Sequence, residues 1–276
     1  MVDKIDLKNK SKSVFEKIKF LSNQLKKYIF VANEKAKPYK EKARNKVKTL
    51  DPALKKRLYS GIVIAFLSIF IVVMGGILYI ASMFSISCFM IYELVKMLKN
   101  IEEKDNKTFV SLRKFGVIYI ICFCISMVLI RENQQGLKIT IWMFLTIWSL
   151  DSFAYFFGKK FGKIKLAPVI SPKKTYEGAI LGSAGALLVS IIIYRFSHTN
   201  SSGSFSLESF VIFSIITIIL AQLGDLSESY IKRKCEVKDS GTIIPGHGGF
   251  FDRFDSFLIV APFVYIIIFL NGGVLF

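Results

Sequence analysis

The stretch LYSGIVIAFLSIFIVVMGGILYIASMFSISCFMIYELVKML, residues 58–98, settles what kind of chain this is. Its roughly forty residues contain one acidic position, Glu93, and a Gly75-Gly76 pair divides them in two. A helix needs about 20 mostly apolar residues to cross a hydrocarbon core, and fewer suffice when flanking charges reach back to the interface. Each half meets that requirement, so the stretch predicts two membrane helices running out and back. Further apolar blocks follow at 115–130, 137–157, 177–194, 210–226 and 254–270. Apolar residues make up 53% of the chain, and its 26 Phe are gathered into these blocks, not spread through amphipathic periods. The expectation is an all-α polytopic membrane protein with about seven transmembrane helices.

Charge orients the spans, because short loops rich in Lys and Arg stay on the cytosolic side. The segment before Leu58 holds 18 Lys and Arg, and the loop after the first pair of helices holds Lys99, Lys104, Lys107, Arg113 and Lys114. The turn at Gly75 has none, and the loops at 131–138 and 195–209 hold only two and one. Lys159, Lys160, Lys163, Lys165, Lys173 and Lys174 then fall inside again, as does the loop opening at Lys232. Seven spans satisfy the alternation, with the C-terminus outside and every charge-dense loop facing the cytosol.

One such loop stands out. Residues 229–255 read SYIKRKCEVKDSGTIIPGHGGFFDRFD, with nine charged side chains between Lys232 and Asp255. The topology brings Asp151, Asp225, Asp252 and Asp255 to the cytosolic ends of three helices, and convergent carboxylates suggest a divalent cation. Asp252 and Asp255 are three apart, as are Asp225 and Glu228, so each pair shares a helix face. Oxygen donors without a His or Cys cluster suit magnesium, which takes one or two carboxylates plus phosphate oxygens, and disfavour zinc. Lys232, Arg233, Lys238 and Arg253 supply cations for phosphate. The turn Pro245-Gly246-His247-Gly248-Gly249 precedes the helix of Asp252, where glycine amides and a helix N-terminus can cradle an anion, although a plain re-entry turn would read the same way.

The pattern Ser229-x-Ile231-Lys232-Arg233, then Lys238-Asp239-x-Gly241, then Ile244-Pro245-x-His247-Gly248-Gly249-Phe250-x-Asp252-Arg253-Phe254-Asp255 resembles the signature of the phosphatidate cytidylyltransferases. Seventeen defined positions in 27 residues agree. The stretch DSFAYFFG at 151–158, followed by Lys165-Leu166-Ala167-Pro168 and Ile170-Ser171-Pro172-Lys173-Lys174-Thr175-x-Glu177-Gly178, is similar to a second family motif, and Leu54, Arg57, Gly61 and Glu93 also look familial. The resemblance runs from about Leu54 to the end of the chain. It departs in about fifty additional N-terminal residues and in a section, 99–136, shorter than in typical bacterial members.

The resemblance implies that CTP and phosphatidate give CDP-diacylglycerol and pyrophosphate. It implies Asp225 and Asp252 as metal ligands with Asp255 beside them, Lys238 and Asp239 within the catalytic set, and His247, Gly248 and Gly249 as the nucleotide loop. Lys232, Arg233 and Arg253 would hold phosphates, and Ser171, Lys173 and Lys174 would approach from the other cytosolic loop. It further implies magnesium, leaves open a second, monovalent cation, and suggests a homodimer in a bacterial cytoplasmic membrane. A secondary transporter would instead place its polar residues near the bilayer midplane within inverted repeats, and no such repeat is visible. A CTP-using polyprenol kinase is the nearer alternative, and the full signature argues against it.

Residues 1–53 form a basic N-terminal extension ahead of the membrane-embedded domain at 54–276. The segment before Leu58, with 18 basic and 6 acidic residues, holds most of the excess positive charge, and Val14, Ile18, Leu21, Leu25 and Tyr28 fall at helical spacing among lysines. That is the pattern of a basic amphipathic helix able to lie on anionic lipid, or of a solvated extension. No signal-peptide core follows the first lysines, and no nucleic-acid module is recognisable. Gly178, Gly182 and Ala186, four apart, predict close helix packing. Four cysteines suggest no disulfide framework, and the lysines around Cys235 predict a thiol of somewhat lowered pKa.

Overall fold

The computed structural model describes residues 37, 52–102, 106–197, 205–244 and 248–276. Within them the chain forms α1 (Pro52–Met74), α2 (Gly76–Glu102), α3 (Asn106–Arg131), α4 (Gly136–Phe161), β1 (Lys165–Ala167), β2 (Ser171–Thr175), α5 (Tyr176–Ser197), α6 (Leu207–Lys234) and α7 (Phe251–Leu270). Backbone groups in lipid must find partners within their own segment, which is why each apolar block becomes one uninterrupted helix. Six of the helices, α2 to α7, are long and apolar enough to cross a membrane, and α1 adds a shorter apolar stretch, Val63–Met74. The expected polytopic all-α architecture is therefore present. The N-terminal amphipathic face expected at 14–28 lies outside the described residues, as do His247 and its neighbours Pro245 and Gly246.

The predicted break at Gly75-Gly76 is the boundary between α1 and α2. Both glycines have positive φ, 64° and 53°, a conformation side chains resist. From the far end of α3, Arg131 donates through Nε to Val72 O at 2.8 Å and through Nη2 to Val73 O at 3.2 Å, satisfying carbonyls that the end of α1 would leave open. Among the described residues α1 makes only sparse contact with the other helices.

Packing is tightest between α4 and α5, where small residues let backbones touch. A Cβ on Gly182 would lie 2.8 Å from Ala154 Cβ, and one on Gly178 would lie 2.8 Å from Ala154 O. The four-residue spacing is thus the helix seam that the sequence predicts. Gly182→Val should destabilise the protein by about 2–3 kcal/mol through overpacking. In detergent this would appear as a melting midpoint lower by roughly 5–10 °C. A buried polar chain locks the third helix to this pair: Trp142 Nε1 donates to Ser190 Oγ at 2.7 Å, Ser190 and Ser214 share a 2.8 Å hydrogen bond, and Trp142 stacks on Phe213.

The bundle has two chemically different ends. At one, Lys138 reaches Ser197 O, Tyr194 donates to Phe205 O, and Gln135 holds Leu275 and Phe276 by their backbones. At the other lie the last turns of α2, α4 and α6, the first turns of α5 and α7, and an antiparallel β1–β2 hairpin in which Lys165 pairs with Thr175 and Ala167 with Ser171. Those charge-rich loops share one end, as the alternation of spans requires.

Candidate active site

The closest crossing of α6 and α7 builds the centre of the site. A Cβ on Gly224 would sit 2.7 Å from Asp255 O and 2.9 Å from Ser256 Cα, so only glycine lets the two backbones meet there. The next residue on α6 is Asp225, which is thereby brought against Asp255. One turn on, Glu228 joins them: oxygens of Asp225, Glu228 and Asp255 all lie within 4.8 Å of one another. Glu228 is buried, 3% exposed, and its Oε1 receives no hydrogen bond. Three carboxylates packed this closely need positive charge between or beside them. Lys174 of β2 pairs with Asp225, and Lys232 lies 2.6 Å from Glu228 Oε2.

Asp252, expected beside Asp225 and Asp255, lines a common cavity with them and is also tied to the loop. Its Oδ1 accepts from Lys232 Nζ at 2.8 Å, its two oxygens accept from Ser240 N at 3.1 and 3.0 Å, and Oδ2 also accepts from Gly249 N at 2.8 Å. In the first turn of α7 it folds the loop between Ser240 and Gly249 onto the helix start, a carboxylate at an N-terminus where amides point outward. Gly248, at φ 85°, lies so close that a Cβ there would fall 2.5 Å from Asp252 Oδ2. Ile244 N donates to Gly248 O across the loop at 2.9 Å. His247 lies outside the described residues.

Several predicted residues converge on one cavity of about 1000 Å³, lined by Lys173, Lys174, Asp225, Lys232, Asp239, Asp252, Arg253 and Asp255. Asp151, on α4, also reaches it. One to two turns deeper in the helices the lining becomes apolar, with Phe144, Trp148 and Phe257 joined by Ile64 and Ile71 of α1 and Ile86 of α2. Among the described residues, five predicted ones do not line the cavity: Gly248 and Gly249 of the loop above, and Arg233, Ser171 and Lys238. Arg233 instead donates to Ile170 O at 3.1 Å and Val237 O at 2.9 Å, tying the end of α6 to the β1–β2 turn. Ser171 sits at the start of β2, in register with Ala167, and Lys238 is exposed.

The sequence also left two contributors without a task. Glu228 was visible only as the partner of Asp225 at three-residue spacing, and its burial has no sequence signal. Glu93 was visible as the lone acid of the first apolar stretch. For Cys235 the local cations mislead: the side chain is fully buried, and desolvation pushes its thiol up against the opposing pull of Lys234. Cys235 should therefore react with a polar maleimide at least about tenfold more slowly in the folded protein than in SDS, measured by mass spectrometry.

An oxygen-rich carboxylate cluster, the lysines beside it and an apolar chamber below thus meet in one cavity. A profile of the cytidylyltransferase family matches residues 101–271, and the chain belongs to that family. It is 37% identical over 210 residues to the phosphatidate cytidylyltransferase of Rickettsia typhi, a match covering 75% of this chain and 88% of that protein. Similarity to the phosphatidate cytidylyltransferase of Bacillus subtilis is 39% over 173 residues, 62% of each chain. With that of Haemophilus influenzae it is 44% over 133 residues, covering 48% of this chain and 46% of that protein. The matched stretch thus spans about half the length of the Haemophilus influenzae protein.

Proposed function

We propose that this chain is a phosphatidate cytidylyltransferase, converting CTP and phosphatidate to CDP-diacylglycerol and pyrophosphate at the cytosolic face of a bacterial cytoplasmic membrane. The observation that carries the proposal is the single cavity whose lining passes from Lys174, Asp225, Lys232 and Arg253 to Phe144, Trp148 and Phe257. A lipid phosphate needs both surfaces at once. The positive-inside distribution of loops supports the orientation, since it puts the charged end where CTP is available.

In the proposed reaction an oxygen of the phosphatidate phosphate attacks the α-phosphorus of CTP. A new P–O bond forms there, the bond from the α-phosphorus to the bridging oxygen breaks, and pyrophosphate leaves with that electron pair. The phosphate monoester is already a competent nucleophile near neutral pH, so the protein needs no covalent intermediate. Its work is to hold two polyanions in line and neutralise them. Lys173 and Arg253 line the cavity where phosphates would rest, and Lys174 and Lys232 hold the carboxylates of Asp225, Glu228 and Asp252 in place.

Magnesium fits the donor set. Asp225, Glu228 and Asp255 offer hard oxygen atoms at one point, one of them buried without a hydrogen-bond donor. Asp225 and Asp255, with Glu228, would hold the ion, which supplies charge neutralisation at the phosphate oxygens. Asp252, whose oxygens are engaged by Ser240, Gly249 and Lys232, serves the loop. The proposal includes a homodimer, which the family resemblance implies.

Pyrophosphate release tests the reaction. Purified protein supplied with magnesium and CTP should release pyrophosphate only when phosphatidate is added, in a one-to-one ratio with CDP-diacylglycerol. Release without lipid, or none with it, would overturn the assignment.

A further inference from the structure

Glu93 is the acid of the first apolar stretch, on α2, just upstream of the point in that helix, residue 101, where the family profile begins. It is 1% exposed, and its carboxylate is surrounded by the signature loop. Oε1 accepts from Phe250 N at 3.2 Å, and Oε2 accepts from Phe251 N at 2.9 Å and Ser240 Oγ at 3.2 Å. Two glycines of the loop press on the same carboxylate. A Cβ on Gly241 would fall 2.6 Å from Oε1, and one on Gly249 would overlap both oxygens. One turn earlier on the same face of α2, Phe89 stacks on Phe250 with ring centroids 5.3 Å apart.

These contacts close a circuit. Ser240 gives its hydroxyl to Glu93 and its backbone N–H to Asp252, and Asp252 also takes the N–H of Gly249. The loop is therefore clamped between a carboxylate on α2 and a carboxylate on α7, with Ser240 bridging them. A buried carboxylate in a membrane helix is costly unless its acceptors are filled, and here every recorded donor comes from the loop or the α7 start. The glycines at 241 and 249 explain how the loop comes close enough.

We infer that Glu93 is the positioning residue of the nucleotide loop: by holding the Ser240 hydroxyl and the N–H groups of Phe250 and Phe251 it fixes the loop in the shape that receives CTP, without itself touching substrate. The inference rests on the cytidylyltransferase reading and adds a residue to it. An acceptor-only side chain is what the circuit requires, since all three partners donate. Glutamine would turn an NH2 towards one of these donors, whereas aspartate keeps the charge but falls one methylene short. Phosphatidate binding, by contrast, depends on the β1–β2 lysines and the apolar chamber, which Glu93 does not contact.

Steady-state kinetics on the full chain in detergent micelles separates the two substrates, with the unaltered protein assayed alongside. If the unaltered protein makes no CDP-diacylglycerol, the reading of the reaction fails. If it does, Glu93→Gln should raise the KM for CTP at least about tenfold while the KM for phosphatidate stays within about twofold. Ser240→Ala, which removes one donor and leaves the carboxylate buried, should shift the KM for CTP the same way by about threefold. Glu93→Asp should recover part of the loss. A KM for CTP unchanged in Ser240→Ala, or KM values for both substrates raised alike in Glu93→Gln, overturns the inference. Should Glu93→Gln fail to fold, Ser240→Ala decides by itself on the same criterion.

Discussion

Asp225→Ala should lower the rate of CDP-lipid formation at least about a thousandfold while leaving the protein folded in detergent. Removing a metal-binding or charge-stabilising group from a phosphoryl-transfer site costs several kcal/mol of transition-state stabilisation, and about 4 kcal/mol corresponds to that factor. Asp225 stands at the point where α6 and α7 touch, so its carboxylate is the hinge of the cluster with Glu228 and Asp255. The variant also releases Lys174 from its ion pair, and the residue is partly exposed to the cavity, so the loss should fall on catalysis more than on folding. Asp225→Asn should show a raised magnesium requirement, read from the dependence of rate on magnesium concentration. An unchanged dependence would remove Asp225 from the proposed metal site.

Asp252→Ala should be almost as damaging for a different reason. Three donors lose their acceptor at once: Ser240 N, Gly249 N and Lys232 Nζ. Breaking a half-buried ion pair and orphaning two backbone amides costs about 3–5 kcal/mol, enough to lower kcat/KM at least about a hundredfold. Because the damage is to the loop, the variant should show weakened CTP binding and a lower melting midpoint, with its magnesium dependence near that of the unaltered protein. Comparing magnesium titrations of the Asp225 and Asp252 variants therefore separates the proposed metal cluster from the loop clamp. Equal shifts in both would mean that the two carboxylates share one task.

The architecture was legible because lipid leaves few choices. Apolar blocks of sufficient length must become helices, and the Gly75-Gly76 pair marks a real helix boundary. The β1–β2 hairpin was not legible: it is short, basic and built around Pro168 and Pro172, so Ser171 to Lys174 read only as a charged loop. In the site, residue types and spacing pointed to Asp225, Asp252 and Asp255, which line one cavity because topology gives them a shared end of the bundle. They did not separate the contacts of Asp252 from those of its neighbour at three-residue spacing. That distinction depends on Ser240, twelve residues away, folding back to donate to Asp252. Glu228 and Glu93 were visible as letters, but their importance lies in burial, which depends on which helices pack over them. Cys235 shows the converse, since nearby lysines in sequence are outweighed by the core around the thiol.

The most direct test supplies the purified protein, magnesium and phosphatidate with CTP labelled on either the α- or the γ-phosphorus and extracts the lipid into chloroform. Cytidylyl transfer predicts that α-label enters the lipid phase as CDP-diacylglycerol and that γ-label stays in water as pyrophosphate. Lipid carrying γ-label would make the protein a CTP-dependent lipid kinase, and lipid free of both labels would contradict the account altogether.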